Sequence, residues 1–170
     1  CKKCKVKYMT TVSLTLYEFF DLAKKTLLAN GCDDETASIL SELIKNAERD
    51  GSVSHGLFRL PAYVSGLKSG KINGKGKPEV NRISPSVIKV QGNNCLAPVV
   101  LSKGLPELAK AAKENGVAVL AINNSHHMAA MWPETEKLAE DGLVAFACTS
   151  YKPAVAPAGA IKPCLLYTSD

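Results

Sequence analysis

No run of apolar residues in this chain of 170 approaches the roughly 18 that a membrane-spanning helix needs. No secretory leader, with a charged stretch, an apolar core and a small-residue cleavage site, opens it. The expected location is therefore the cytoplasm, with no membrane partner. Aromatic residues are few, at 6%. A nucleic-acid surface, which wants aromatics interleaved with a basic face, is not expected. There is no GxGxxG: Gly70, Gly74 and Gly76 lie in a turn-rich stretch at the wrong spacing for a Rossmann phosphate loop. There is no GxSxG elbow either, although Ser52 and Ser54 stand beside His55. The six cysteines make no framework, since Cys1, Cys4 and Cys164 lie at the ends and Cys32, Cys95 and Cys148 are scattered. Cys1-Lys2-Lys3-Cys4 is a lone CxxC without a second pair, so no zinc site is expected and a reducing compartment fits.

What remains is globular: 46% hydrophobic, 22% charged, with 12 glycines and 9 prolines. Met9 is the expected start, with Cys1 to Tyr8 an untranslated leader. Cys164 to Asp170 breaks the preceding pattern and reads as sequencing-adapter sequence. Setting aside Lys2, Lys3, Lys5, Lys7 and Asp170 lowers the formal charge from +5 to +2, which removes the basic excess. The expected organisation is a helical region over 9–70 and a partial α/β domain over 71–163, so the chain is expected to be a fragment, inactive by itself.

Thr15 with Glu18 predicts a capping box, followed by a stripe of Leu16, Phe20, Ala23 and Leu27 and a stop at Asn30-Gly31. Asp33 or Asp34 caps a second helix with the stripe Ala37, Leu40, Ile44 and Ala47, closed by Asp50-Gly51. The two make a helical hairpin. Ser54 is expected to cap a third helix reaching about Lys68, with Pro61 inside it as a distortion or an early boundary. After the turn-rich 71–78, short strands are expected at Glu79 to Ile83 and Val87 to Val90. A helix from Pro98 to Glu114, interrupted at Gly104 and Pro106, follows. A buried strand at Val117 to Ile122, a helix at Pro133 to Glu140 and a buried strand at Leu143 to Cys148 complete a mixed α/β pattern.

Two stretches carry chemistry. On a helix begun at Ser54, His55 and Arg59 are four residues apart and share a face, so an imidazole and a guanidinium would enter one cavity. Arg59 offers a planar fork for a carboxylate, and His55 titrates near neutral pH without special tuning. The competing reading is a surface histidine beside a solvated arginine. The second stretch, Asn123 to Pro133 (NNSHHMAAMWP), follows a strand, where α/β sites gather. His126 and His127 are adjacent and point apart, so they do not chelate one metal well. One of them is expected to work in a pocket and the other to be structural. Met131 and Trp132 either wall a flat ligand or pack in the core.

SHGLFRLPAYVSGLKSGKIN, NNSHHMAAMWP and KPAVAPAGAIKP together resemble the malate/L-lactate dehydrogenase family, which includes sulfolactate and ureidoglycolate dehydrogenases, over essentially Met9 to Pro163. The HHxAAxWP form is similar to the branch that reduces the cyclic imino acids Δ1-piperideine-2-carboxylate and Δ1-pyrroline-2-carboxylate with NADPH. The resemblance implies a non-Rossmann α/β fold holding NADPH or NADH, and a homodimer. It implies proton transfer at Ser54 and His55, and contact between Arg59 and a small carboxylated substrate. It makes His127 the acid/base of other branches and a cofactor neighbour, with Met128, Ala129 and Ala130 beside the cofactor and Thr149 and Ser150 near it. Where the family continues into a long C-terminal half, this chain reads CLLYTSD, so the Asp of a Ser-His-Asp relay has no counterpart.

The implied reaction is hydride transfer to C2 of a small 2-imino or 2-keto acid. The alternatives are a 2-hydroxy acid dehydrogenase of the malate, lactate or ureidoglycolate type, a non-enzymatic binding domain, and a zinc hydrolase using His126 or His127.

Overall fold

Each of the first two helices starts where a side chain can satisfy amides that the helix itself leaves free. The computed structural model describes residues 12–126 and 130–149, with 156, 159 and 161 as isolated positions. In α1 (Leu16–Ala29) the Thr15 hydroxyl accepts from the Glu18 amide at 3.2 Å, and the Glu18 carboxylate accepts from the Thr15 amide at 2.8 Å. The expected capping box is therefore formed. At its other end Gly31 takes φ +102, a conformation that favours glycine, and the chain turns directly into α2 (Asp34–Arg49). Asp33 is the cap there, accepting from the Thr36 amide at 2.9 Å.

The hairpin buries Ala23 and Leu27 from α1 against Ala37, Leu40, Ile44 and Ala47 from α2. The predicted stripes supply these residues, although Leu16 stays exposed.

The third helix differs from expectation. Two 3-10 turns, Val53–His55 and Leu57–Arg59, precede α3 (Leu60–Lys68). Ser54 caps nothing, and Pro61 sits in the first turn of α3, where its missing N–H breaks no bond. The physical reason is the local sequence: a proline accepted only near a helix start moves that start past Arg59, and Gly56 divides what precedes it. Leu60 and Tyr63 are buried, and burial pushes the Tyr63 phenol up to about 12.

β1 (Glu79–Ser84) and β2 (Val87–Gln91) form an antiparallel hairpin with Glu79 opposite Gln91. From β2 the chain crosses through α4 (Ala97–Asn115) to β3 (Val119–Asn123), which pairs parallel to β2 with Val87 opposite Val119. The order β1-β2-β3 gives a small mixed sheet. α4 is continuous through Gly104 and Pro106, contrary to the expected interruption. A Cβ at Gly104 would lie 3.0 Å from Leu120 and 3.1 Å from Val90, so this glycine is where helix and sheet touch. Packing of that face keeps the helix continuous across a proline that local propensity alone would reject.

Ile88 and Val90 of β2, Leu96 and Val100 join Leu27, Leu40 and Ile44 in one hydrophobic cluster. Each such side chain contributes roughly 1.5–3 kcal/mol on burial. The strand expected to be buried at Val117 to Ile122 is β3, which has no fully buried side chain and leaves Val119 exposed; the fully buried strand side chains, Ile88 and Val90, belong to β2, and β1 leaves Ile83 exposed. Leu143 to Cys148 is not a strand: among the described residues nothing pairs with it, and Val144 and Phe146 face outward. An apolar run needs a hydrogen-bonded neighbour to become a strand. Before it, α5 (Trp132–Glu140) is the last helix in the described residues, none of whose helices is long and apolar enough to cross a membrane.

An ion network ties the hairpin to the rest. Lys77 reaches Asp33 at 3.0 Å and Glu35 at 3.4 Å, and Lys103 of α4 pairs with Glu35. Burial raises the Asp33 carboxyl, but its bonds to Thr36 and Lys77 outweigh this and hold it below the usual range. The Lys103 and Lys77 ammoniums lower Glu35 in the same way. Folded values below the unfolded ones give stability that is complete above about pH 5 and is lost as pH falls through the carboxylate range. Urea unfolding from pH 7 to pH 3 is expected to show this decline. Asp33→Ala should cost about 1–2 kcal/mol at neutral pH through the lost cap, and should flatten the acid limb.

Candidate active site

The corner between α2 and α3 is built from its backbone outward. The Ser52 amide donates to the Ala47 carbonyl at 2.8 Å, and the His55 amide donates to the Ser52 carbonyl at 2.8 Å, closing the first 3-10 turn. Gly56, with ψ −137, joins the two turns and lies buried. The Arg59 amide closes the second turn on the Gly56 carbonyl at 3.0 Å. His55 and Arg59 therefore sit on consecutive turns and not one above the other on a helix, which corrects the i, i+4 geometry read from spacing. A different link replaces it: Arg59 Nε donates to the Ser54 carbonyl at 2.8 Å.

His55 is half-buried and its Nδ1 faces two hydroxyls, Ser54 Oγ at 3.0 Å and Ser52 Oγ at 3.3 Å. In the neutral ring, Nδ1 accepts when the hydroxyls donate, which leaves the ring proton on Nε2; in the imidazolium, Nδ1–H donates to either hydroxyl. Across the ring stands Trp132, the first residue of α5, with centroids 6.1 Å apart and planes at 74°. The two chemistry-bearing stretches of the sequence therefore meet, at His55 and Trp132. Arg59 is half-buried, and its two terminal nitrogens make no hydrogen bond or ion pair among the described residues. A guanidinium fork without a carboxylate partner, beside an imidazole, suits an anionic ligand with a proton-accepting atom.

The backbone beyond the sheet fixes the second stretch. Past β2 and β3 the chains run side by side, with the Asn94 amide on the Asn124 carbonyl, the His126 amide on the Cys95 carbonyl and the Ala97 amide on the His126 carbonyl, each at 2.8 Å. His126 is thus held by its backbone against the start of α4. His127, Met128, Ala129 and Ser150 lie outside the described residues. Ala130 is buried, and Thr149 is exposed on the stretch after α5. No three His, Cys, Asp or Glu side chains among the described residues come together as a metal would need.

A cleft of about 580 Å³ opens between α2, α4 and α5, with Leu43, Leu101, Leu105 and Ala130 among its lining residues. Glu134 lies in its wall, and burial raises its carboxyl above the usual range. Among the described residues the cleft shares only Ala130 with the expected site. Sequence reasoning did not assign a role to Ser52 or to Glu48, whose carboxylate accepts from the Leu57 amide at 2.8 Å. For Ser52 the spacing to His55 was visible. For Glu48 the only signal was a glycine directly after the histidine.

A dihydronicotinamide needs a flat, partly apolar wall and nearby hydrogen-bonding groups. The half-buried Trp132, Ala130 and the hydroxyls at His55 fit that requirement. The malate/L-lactate dehydrogenase family model matches residues 15–165, and the chain belongs to this family. Among its relatives, it is similar to a Δ1-pyrroline-2-carboxylate/Δ1-piperideine-2-carboxylate reductase of Pseudomonas syringae pv. tomato. The two are 39% identical over 153 residues, 90% of this chain and 45% of the relative. A Δ1-pyrroline-2-carboxylate reductase of Ancylobacter novellus is 40% identical over 154 residues, covering 91% and 45%. The chain thus spans less than half the length of these relatives.

Among solved structures, the P. syringae Δ1-piperideine-2-carboxylate reductase superposes with a TM-score of 0.74 at 39% identity, over 78% of this chain and 40% of that one. Malate dehydrogenase from Pyrococcus horikoshii gives 0.78 at 28% identity, over 89% and 44%. These neighbours share the expected mixed α/β fold.

The hydroxyl arrangement makes a prediction. Nitrogen NMR of the imidazoles should show His55 in the Nε2–H tautomer. Ser54→Ala should retain most of that population through Ser52, whereas Ser52→Ala/Ser54→Ala should mix the tautomers. A mixed parent spectrum would contradict the arrangement.

Proposed function

We propose that the protein reduces C2 of small cyclic 2-imino carboxylic acids with NADPH or NADH. The observation that carries this reading is the Ser54–His55 hydrogen bond closed onto Arg59 through the Ser54 carbonyl, in a chain whose relatives of 39–40% identity are imino acid reductases. The bound cofactor supplies a hydride.

The chain's own residues do the rest. The terminal nitrogens of Arg59 bind the substrate carboxylate and place the imine carbon relative to His55. His55 acts as the imidazolium: with Nδ1–H donating to the Ser54 or Ser52 hydroxyl, it gives the Nε2 proton to the ring nitrogen of the imine and is left neutral, and the protonated imine has a more electrophilic C2. A positioned acid of this kind is typically worth about 10² to 10⁴ in rate. Trp132 keeps one edge of the imidazole out of water. His127 is the second proton donor this reading admits. Ala130 and Thr149, with His127, Met128, Ala129 and Ser150, border the cofactor. The reading extends to a cytoplasmic homodimer, and to a 170-residue chain without activity by itself.

NAD(P)H oxidation tests the reading in the 170-residue chain and in a chimera whose remainder comes from the P. syringae reductase. The substrates are Δ1-piperideine-2-carboxylate, Δ1-pyrroline-2-carboxylate, pyruvate and oxaloacetate. The imines should be preferred; a preference for the keto acids would favour a 2-hydroxy acid dehydrogenase. Arg59→Ala should lower kcat/KM about 10²- to 10³-fold on the carboxylated imine and leave a decarboxylated cyclic imine nearly unchanged. Equal losses on both would remove Arg59 from carboxylate recognition.

A further inference from the structure

We propose that Glu48 is a positioning residue for the site: its carboxylate, carried on the last turn of α2, holds the Leu57 amide and thereby sets the junction between the turns that bear His55 and Arg59. What those two side chains do rests on the reductase reading; how they are held does not.

Leu57 opens the second 3-10 turn, so its N–H has no partner within that turn. A cap side chain reaches the second or third amide of a helix rather than the first, and the residue in the cap position is Gly56, which has no side chain, so the Leu57 proton needs an acceptor from elsewhere. Glu48 supplies the acceptor from the neighbouring helix, nine residues back, at 2.8 Å. Its own anchorage is firm. Ala47 is buried, the Ser52 amide bonds the Ala47 carbonyl, and the Gly51 amide bonds the Glu48 carbonyl at 3.0 Å.

Gly56 supplies an independent observation. A Cβ there would lie 2.5 Å from the Glu48 carboxyl carbon and 2.6 Å from its Cγ. The glycine next to the histidine is the room that the glutamate occupies. The carboxylate and the Arg59–Ser54 bond therefore hold the corner from opposite ends, with His55 between them. Misplacement of about 1 Å at such a corner is enough to cost a reaction a large factor.

Four variants test this, in the 170-residue chain for exchange and titration and in the chimera for reduction: Glu48→Ala, Glu48→Gln, Glu48→Asp and Gly56→Ala. The readouts are hydrogen exchange at the Leu57 amide, the His55 imidazole titration by NMR, and the reduction assays. Glu48→Ala is expected to speed Leu57 exchange about 10- to 100-fold relative to the amides of α2, and to shift the His55 titration. Where reduction is measurable, both halves of the site should suffer, with KM for the carboxylated imine raised and kcat lowered, each about tenfold.

Glu48→Gln keeps an oxygen acceptor and should restore most of the protection and the rate. Gly56→Ala should reproduce the alanine variant by displacing the carboxylate. Should Glu48→Ala not fold, Glu48→Asp, one methylene too short to reach, takes its place with the same expectation. Unchanged Leu57 exchange and His55 titration in Glu48→Ala or Glu48→Asp would overturn the proposal. So would a Gly56→Ala protein identical to the parent, or a Gln variant as impaired as Ala. Absence of imine reduction in every protein, the parent of the chimera included, would count against the reductase reading while exchange still decides the placement.

Discussion

A single amide donor, the N–H of Leu57, has to be satisfied without a capping side chain, and most of the site's geometry follows from how that is done. Two short 3-10 turns cannot satisfy their own first amides, and a buried, unpaired donor would cost about 1–3 kcal/mol. The chain answers with a carboxylate on α2, and the second turn becomes fixed to the helical hairpin. The hairpin is the most regularly built part of the molecule, with Leu27, Leu40 and Ile44 fully buried in its core. Side chains placed on a turn tied to such an element inherit its rigidity, which a free loop would not give.

The second half of the site is positioned by a different device. Parallel pairing of β2 with β3 brings the loop after β3 beside the start of α4, where three backbone bonds around Asn94, Cys95 and His126 fasten it. From there the chain reaches Trp132, whose ring stands against His55. Two sequence stretches more than sixty positions apart are thereby joined by one aromatic contact. The sheet provides the reach, and α4, packed closely on it at Gly104, sets the distance.

Much of this was legible in the sequence, and the parts that were not share a cause. The capping box at Thr15, the Asp33 cap, the buried stripe of α2 and the stop at Gly31 are local signals, and the structure reproduces them. The resemblance carried by SHGLFR and NNSHHMAAMWP leads to the family that the chain belongs to. The helix expected from Ser54 failed because the i, i+4 pattern ignored how strongly Pro61 sets a helix start. The break expected in α4 failed because packing against Leu120 outweighs the local preference of Gly104 and Pro106. The strand expected over Leu143 to Cys148 failed because apolar alternation does not supply a hydrogen-bonded neighbour. At the site, Ser54, His55 and Arg59 were visible as residue types. Their actual connection, through a carbonyl, a second serine and a glutamate nine residues from its partner, depends on a corner that no local pattern encodes.

The central claim is that one corner of this fold presents an imidazole and a guanidinium to an organic carboxylate. Titrating the nitrogen-labelled chain with pyrrole-2-carboxylate, a planar and unreactive analogue of the imine, tests it most directly. The account predicts saturable shifts confined to the Arg59 Nε, the His55 ring and the amides of 52–59, with the Trp132 indole following. Shifts gathered instead along the cleft at Leu101 and Glu134, or none at millimolar analogue, would contradict it.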